Sequence, residues 1–586
     1  MKPFGRFPSS RGSAARTSRW VYVAVTAVLA VVVAIWAIPD LGGGYFGYAA
    51  AAPGSTPPMP DLSPDLFLFP VSAQIVLLTV GVGLLVQIYS TAYLGHHPRY
   101  RSYALIIILF LVAMIAVVGT TNLWVLLVGW EVMGLCSYLL IGHEWETAEA
   151  RAGAAKAFLM TRIADLGLVI AILVIGQAYG TYDLLGAELA ASDGGPRSST
   201  AIGLLVLVAV VGKSAQFPLH TWLPDAMPGP TPITALIHAA TMVAAGVYLA
   251  ARMLPFYRES EVVLVALAVI AGITMLMGAL FALVQADLKR ALAWSTVSQL
   301  ALMFSAIAAG DPGAGTDHLL AHGVFKALLF LGCGCIMHAV GSSALSAMGG
   351  LRKAMPVTFV SMTIGFGALA GLVPTVGFFT KDSVLAALEH AAQGDAELPA
   401  AVGQVLFYTA LATTFVTAAY AARLWLTTFF GPDSSSPVEH VEAEAPRAML
   451  LPVVVLAVAT FALSVGQPVH LGFGLLSTAV AVFAGGVVVY AWRNRGELDI
   501  DAPRLSRELD LDEPYSRWIP AITRSASRLV VAVDRDGVDA YPAGGAAGAQ
   551  LGSRLLGVLQ SRNVQRYATV MAVGVIAIVA AGVIWT

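Results

Sequence analysis

Long apolar runs separated by short polar breaks dominate this chain. A helix needs about 20 mostly apolar residues to cross the hydrocarbon layer of a bilayer. Fifteen segments have that character, near 20–38, 69–93, 102–119, 121–141, 154–178, 200–225, 232–253, 261–283, 289–309, 318–341, 357–390, 402–430, 449–467, 472–492 and 565–585. The runs are continuous and do not alternate, so they predict helices and exclude a closed β-barrel. The fold class expected is an all-α polytopic membrane protein of about 15 transmembrane helices. Residues 493–564 break the pattern. They are charged, and SRLVVAVDRDGVDAY and GSRLLGVLQSRN read as helical pieces with one apolar face. Such a segment is expected to lie along a membrane surface as an amphipathic lateral helix, with 565–586 as a final anchoring helix. GGAAGA at 544–549 weakens its middle.

Composition agrees. Of 586 residues, 58% are hydrophobic and only 12% charged, and the mean hydropathy is +0.78. Soluble domains carry roughly 25% charged residues. A soluble enzyme, a nucleic-acid binder and a disordered chain are therefore excluded, and lipid is the expected solvent. The net charge of −2 gives no sign of a polyanionic partner. Cys136, Cys333 and Cys335 sit inside apolar runs without metal-ligand spacing, so no metal or redox centre is expected on this chain.

Basic residues give an orientation. Lys2, Arg6, Arg11, Arg16 and Arg19 precede the first run, with no acid before Asp40. In or beside alternate loops lie Arg99, Arg101, Arg151, Lys289, Arg290, Arg352, Lys353, Arg447, Arg493 and Arg495. The opposite loops carry only Arg197 and Arg258. A cytoplasmic N-terminus and a C-terminus outside a bacterial cell membrane are expected. The first run also has features of a signal peptide, with AAAAP at 49–53. A retained anchor is the better reading, because Trp36 and Ile38 continue the apolar run.

Ionisable residues inside the spans are the informative ones, because burying them in lipid is expensive and usually marks an ion or proton pathway. Glu131, Arg162 and Asp165, Lys213, His238, then His318, His322 and Lys326, then Lys381 and Asp382 all qualify. His318, His322 and Lys326 are four apart and share one helix face. The chain has 7 Lys against 26 Arg, yet the deep cations at 213, 326 and 381 are lysines. Arginine stays protonated, whereas a buried lysine can lose its proton. Proton transfer is favoured over static pairing. His318, near one end of its span, reads as an interfacial histidine, and Lys156 and Lys289 as helix-end cations.

Pro218 and Pro374 each interrupt a span beside a lysine. Proline removes a backbone donor and leaves carbonyls that protein or water must satisfy. Paired broken helices in two halves of a transporter suggest inverted repeats. The expected organisation is 1–99 as a tail with two helices, 100–253 and 261–430 as the two repeats, 449–492 as two peripheral helices, 493–564 as the surface segment, and 565–586 as the last span.

GKSAQFPLHTWLPDAMPGPTPITALIHAATMVAAGVYLAAR at 212–252 resembles the antiporter-like subunits of respiratory complex I. DLKRALAWSTVSQL (287–300), HLLAHGVFKALLFL (318–331) and MGGLRKAMPVTF (348–359) resemble the same family, and together these motifs cover roughly 85–430. FFTKD at 378–382 and the charged stretch before a last span resemble the L subunit of bacterial NADH:quinone oxidoreductase in particular. The resemblance implies a proton-translocating subunit with no flavin, iron–sulfur cluster or quinone of its own, the redox groups and quinone chemistry being on other subunits. It implies other membrane-arm subunits as partners, met in part by the lateral helix, together with lipid and protons. It implies a coupled ion pair between Glu131 and Lys213, an auxiliary pair between Arg162 and Asp165, transfer past His238 and His322 to Lys326, and exchange with the outside at Lys381 and Asp382. One departure is that the family's L subunit has two spans before the one resembling 69–93, and this chain has one. A subunit of a multi-subunit Na+/H+ antiporter, of a membrane hydrogenase or of an inorganic-carbon uptake complex is the alternative, and a non-conducting scaffold is the reading from another class.

Overall fold

A computed structural model describes residues 13–38, 70–192, 198–431, 444–465, 471–495, 498, 500, 502–559 and 563–585. The basic tail before residue 13 and the segment 39–69, on which the cleavage reading falls, lie outside the described residues.

The chain is helical almost throughout. Its helices are α1 (Ser13–Ala37), α2 (Pro70–Tyr93), α3 (Tyr100–Gly119), α4 (Leu123–Ile141), α5 (Ala148–Tyr179), α6 (Leu184–Ser192), α7 (Ser199–Lys213), α8 (Trp222–Asp225), α9 (Thr231–Ala239), α10 (Met242–Arg252), α11 (Leu254–Arg258), α12 (Glu261–Val284), α13 (Leu288–Ala308), α14 (Pro312–Val340), α15 (Pro356–Ala370), α16 (Val376–Gln393), α17 (Ala400–Phe430), α18 (Arg447–Ala462) and α19 (Leu471–Arg495). After them come α20 (Pro503–Ser506), α21 (Glu513–Ala532), α22 (Ala540–Leu559) and α23 (Val564–Trp585). Among the described residues, twelve helices are long and apolar enough to cross a membrane, and α7, α15 and α18 are shorter apolar helices. Together these coincide with the fifteen runs read from the sequence. Packing divides the chain into two units, Met1–Leu509 and Asp510–Thr586.

The first unit is organised around α13 and α14. Every residue of α13 except Arg290 is buried, and α14 is buried from Ala314 to Ile336 save for Asp317 and Leu320. This explains their mixed sequence. Ser295, Thr296, Ser298, Gln299, His318, His322 and Lys326 face protein, not lipid, so polarity is tolerated there. Helices α3, α5 and α12 instead expose large apolar side chains such as Leu109, Leu166 and Val269 on one side, as lipid-facing helices must.

Contacts sort the loops into two ends. At one end, Arg99 pairs with Glu146 at 2.8 Å, Lys289 Nζ donates to the Met227 and Gly229 carbonyls, and the Leu288 N–H donates to the Ser343 carbonyl. At the other, the Leu184 N–H donates to Thr121, Thr200 donates to Ser260, and Arg258 meets Glu397 and the Gly310 carbonyl. Successive loops between α3 and α17 alternate between these ends. Arg99, Arg101, Arg151, Lys289, Arg290, Arg352 and Lys353 belong to the first.

Two spans are broken as the prolines suggest. One stops at Lys213 and resumes at Trp222, and the Phe217–Pro218 bond is cis. The other stops at Ala370 and resumes at Val376, and Val373–Pro374 is cis. A third break corrects the reading of 232–253 as one continuous span. The helix ends at Ala239 and restarts at Met242, with Thr241 far from helical geometry at φ −132°, ψ −106°. No proline or glycine marks this break. It is held by tertiary bonds instead: Thr241 Oγ1 donates to the Leu236 carbonyl at 2.8 Å, and Thr79 Oγ1 donates to the Ala240 carbonyl at 2.9 Å.

Residues 503–510 leave the first unit through a run of left-handed residues, Glu508, Leu509 and Asp510, at φ 58°, 56° and 55°. Non-glycine residues avoid this region, and each costs about 1–3 kcal/mol unless the surroundings hold it. The second unit holds α21, with Glu513 and Arg517 paired across one turn, then a π-helical turn over Val533–Val538, α22 and α23. Residues 513–559 are thus helical, as their one-sided apolar pattern predicts, and the GGAAGA stretch lies inside α22.

Close helix packing rests on small residues. A Cβ at Gly403 in α17 would stand 2.5 Å from the Ala391 backbone of α16, whereas one at Gly81 meets nothing within 4 Å. Gly403→Val should lower stability by about 1–3 kcal/mol, read as a lower melting midpoint of the solubilised protein, and Gly81→Val should leave that midpoint unchanged.

Candidate functional site

Apart from Glu131 and Arg162, the ionisable side chains predicted from sequence are all buried inside the first unit. The first group forms where α7 stops. Lys213 is the last residue of that helix, fully buried, and its Nζ lies 3.1 Å from Asp165 Oδ2 on α5. Asp165 is held from the other side by Trp130 Nε1 at 2.6 Å. The Lys213 ammonium also stands 5.1 Å from the Trp130 ring centre. Glu131 pairs with Arg162, and these two are only partly buried, at 25% and 35% side-chain exposure.

This corrects the partners expected from the resemblance. The structure brings Lys213 to Asp165 and Glu131 to Arg162, not Glu131 to Lys213 and Asp165 to Arg162. Arg162 and Asp165 are three apart on α5 and lie near one face, so their spacing leaves the partners open. The Trp130 indole holds Asp165 where Lys213 meets it, and Glu131 takes the Arg162 guanidinium. The four charges remain one group. A Cβ at Gly134 would lie 3.0 Å from Lys213 Nζ and 3.8 Å from Arg162 Nη2, so only glycine leaves room for both cations.

Beyond Lys213 the break is lined with polar atoms. Trp222 Nε1 donates to the Gly212 carbonyl at 3.0 Å, capping one carbonyl freed by the interruption. Ser214 Oγ donates to the Val243 carbonyl, and Gln216 Nε2 bridges from Ser214 to the Val297 carbonyl of α13. His238, one residue before the third break, packs on Phe330 of α14 with ring centres 4.7 Å apart. Neither nitrogen of His238 or of His322 has a hydrogen-bond partner among the described residues. His322 lies within electrostatic range of His238, His318, Lys326 and Lys381.

The next lysine has no acid. Lys326 Nζ donates to Ser295 Oγ at 2.6 Å, and Ser295 is bonded to Tyr420 Oη at 2.6 Å. One turn earlier than His322 is His318. It is fully buried, with Nε2 3.1 Å from Gln299 Oε1 and Nδ1 2.9 Å from Thr380 Oγ1. The interfacial reading of His318 is therefore wrong. The span begins at Pro312, so His318 lies nearly two turns inside it. Thr380 leads directly to Lys381, whose Nζ donates to the Leu369 carbonyl left free by the second break. Asp382 is fully buried beside it.

Sequence reasoning missed the neutral connectors Trp130, Gln216, Ser295, Gln299, Thr380 and Tyr420. Serines, threonines and tyrosines are too common in spans to stand out. It also left Lys156 and Lys289 as helix-end cations. Lys156 instead bridges to Asp225 at 2.5 Å, and Lys289 clamps the 227–229 turn through two carbonyls. The described residues hold no cluster of three or more His, Cys, Asp or Glu that could bind a metal.

A multi-pass helical protein with two proline-broken helices, each with a buried lysine beside its break, and further buried histidines and a lysine on α9 and α14, has the architecture of an antiporter-like membrane subunit. The profile described as NADH:quinone oxidoreductase/Mrp antiporter, TM, matches residues 120–406, and that of NADH-ubiquinone oxidoreductase (complex I), chain 5 N-terminus, matches 61–104. The chain belongs to this proton-antiporter family of membrane subunits. The NAD(P)H-quinone oxidoreductase subunit 5, organellar chromatophore 1, of Paulinella chromatophora is 40% identical over 444 residues, covering 70% of this chain and 65% of that one. NADH-quinone oxidoreductase subunit L of Mycobacterium tuberculosis strain H37Rv is 42% identical over 391 residues, covering 66% and 60%. The matched region thus spans somewhat under two thirds of these relatives' length. Among solved structures, the Mrp complex from Dietzia sp. DQ12-45-1b aligns with a TM-score of 0.70 at 27% identity, covering 97% of this chain and 60% of that one. The membrane-bound sulfane sulfur reductase, an archaeal respiratory membrane complex, aligns at a TM-score of 0.64 and 23% identity, which speaks to the fold.

The pairing makes a thermodynamic prediction. A double-mutant cycle on Asp165→Asn and Lys213→Met should give a coupling of about 0.5–3 kcal/mol in thermal stability, larger than the cycle on Glu131→Gln and Lys213→Met.

Proposed function

We propose that this chain is the L-type proton-translocating subunit of a bacterial NADH:quinone oxidoreductase, moving protons outward across the cell membrane while quinone is reduced on other subunits. The observation that carries this reading is the buried series itself. Lys213, His238, His322, Lys326 and Lys381 lie on four different elements, α7, α9, α14 and α16, yet all are buried, and His322 is within electrostatic range of His238, Lys326 and Lys381. A scaffold has no use for such a series, because each group costs several kcal/mol to bury. Lysine and histidine at these positions can exchange protons, whereas arginine could only hold charge. The unpartnered nitrogens of His238 and His322 are where bound water would complete the path.

The mechanism follows from the pairs. Lys213 is held as a cation by Asp165, with Glu131 and Arg162 alongside. A shift that weakens the Lys213–Asp165 contact leaves a bare ammonium in a low-dielectric site, and its proton moves past His238 toward Lys326. Lys326 is held by the Ser295 hydroxyl, itself bonded to Tyr420, and so can pass a proton on by way of His322, His318 and Thr380 to Lys381 and Asp382. Moving one charge against ~100 mV costs ~2.3 kcal/mol, the magnitude of one good buried pair. In this reading 100–253 and 261–430 are inverted repeats, each with its proline-broken helix at Pro218 and Pro374. The end bearing Arg99, Lys289 and Arg352 faces the cytoplasm, which puts the C-terminus outside. The amphipathic helices at 513–559 lie along neighbouring membrane-arm subunits.

Sodium–proton exchange in a multi-subunit antiporter is the second reading, favoured by the similarity to the Mrp complex. Vesicles driven by NADH separate the two. In the complex-I reading the wild type acidifies the lumen without added Na+, and Lys213→Met and Lys326→Met each reduce that acidification strongly while NADH oxidation persists. Lys326→Arg keeps the charge but cannot titrate, and should be as defective as Lys326→Met. Normal pumping in Lys326→Arg would overturn the relay role of that residue.

A further inference from the structure

A second cluster of charge lies at the basic end of the first unit, away from the central series. Its outer member is Glu508, only 12% exposed at its side chain. Glu508 Oε1 accepts from Arg290 Nη2 at 2.6 Å and Nε at 2.9 Å, from Trp294 Nε1 at 2.8 Å, and from Gln285 Nε2 at 3.3 Å. The same guanidinium reaches the other way, with Nη1 2.9 Å from Asp225 Oδ1. The second oxygen of Asp225 takes Lys156 Nζ at 2.5 Å. Four charges of alternating sign therefore run Glu508, Arg290, Asp225, Lys156.

The places they join are informative. Asp225 ends α8, the helix that follows the break at Lys213. Lys156 lies on α5, nine residues before Asp165, the acid that holds Lys213. Contact between α5 and α8 is tight, since a Cβ at Gly153 would fall 2.2 Å from the Asp225 carbonyl. At the opposite end of the chain of charges, Glu508 opens the left-handed run Glu508–Asp510, and two residues later the C-terminal unit begins. Three successive non-glycine residues in that region persist only where contacts over-determine them. The bonds to Gln285, Arg290 and Trp294 supply those contacts.

We propose that Glu508 is a positioning residue for proton translocation. Through Arg290 and Asp225 it fixes α8 against α5, and so fixes how Asp165 meets Lys213. The physical reason is charge balance. With both carboxylates present, one guanidinium and one ammonium are matched. When Glu508 is neutralised, Arg290 loses the acid on that side and is drawn toward Asp225. That draws α13 and α8 together at the end of α5 that leads to Asp165. The inference rests on the proton-relay reading of Lys213.

The test uses the assembled complex in native membranes, with Glu508→Gln, the charge-keeping Glu508→Asp, and Lys213→Met. Three quantities are read: the amount of complex on native gels, NADH-driven quinone reduction, and protons pumped per electron. Glutamine keeps the size of the side chain and an acceptor for the Trp294 indole. The expected result for Glu508→Gln is complex amount and quinone reduction within two-fold of wild type. Its pumping ratio should fall by at least half the loss caused by Lys213→Met, and Glu508→Asp, which keeps the charge, should retain most of the wild-type ratio. A Glu508→Gln variant with a normal pumping ratio overturns the proposal, whether or not the complex is less abundant. If Lys213→Met itself pumps normally, the relay reading fails, and this inference fails with it. If Lys213→Met is defective while Glu508→Gln pumps normally, only this inference fails.

Discussion

Everything in this structure answers to the cost of a charge in hydrocarbon. An ion buried without a partner is far less stable than in water, and it must be paired, hydrogen-bonded or lose its charge. The first half of the molecule uses ion pairs: Lys213 with Asp165, and Glu131 with Arg162. The second half uses neutral oxygens. Lys326 rests on Ser295 and Tyr420, and Lys381 on the Leu369 carbonyl. The chain thus holds its buried lysines in two chemically different ways. In the proposed relay, a proton that moves between them exchanges an electrostatic partner for a set of dipoles.

The broken helices serve the same constraint from the backbone side. Interrupting a helix frees carbonyls that lipid cannot satisfy. Here the freed groups are taken up by functional side chains or their neighbours. Trp222 caps Gly212 beside Lys213, Thr241 caps Leu236 beside His238, and Lys381 caps Leu369. Each interruption therefore supplies polar atoms at the depth where the relay needs them. The outer ring of lipid-facing helices, with exposed residues such as Leu166 and Val269, keeps those atoms away from hydrocarbon.

Most of this architecture was legible in the sequence, because its strongest signals are coarse. Apolar runs of bilayer length marked the helices, and each run has a helical counterpart in the structure. Proline beside lysine marked two of the three breaks. The third was invisible, since Thr241 and Ala240 have no special backbone preference, and tertiary hydrogen bonds impose the interruption. The ionisable residues stood out by residue type, but their partners did not. Arg162 and Asp165 lie near one face of α5, and sequence spacing alone does not say that Asp165, not Glu131, is the acid that meets Lys213. His318 looked interfacial because its apolar run seemed to start at residue 318, while the helix starts six residues earlier at Pro312. Glu508 was hidden because it sits in a charged stretch that reads as solvated surface. Its burial depends on Trp294 and Arg290, more than 200 positions away.

Helix α5 connects the two charged clusters. Lys156 belongs to the chain that ends at Glu508, and Arg162 and Asp165 belong to the group around Lys213. Nine residues of helix separate Lys156 from Asp165, about 14 Å at 1.5 Å per residue. A helix packed against α4 and α7 over that length moves as a body more readily than it bends. The first cluster alternates in sign and the second is two adjacent ion pairs, so neutralising a member changes the balance at its neighbour. Small displacements at one cluster are then felt at the other as a change in electrostatic balance. Close packing at Gly153 against α8 and at Gly167 against α7, where an added Cβ would come within 2.2–2.4 Å of backbone oxygens, leaves α5 little room to absorb such a displacement locally. The same small residues that let these helices pack in lipid therefore also make α5 a stiff connection between the surface cluster and the buried lysine.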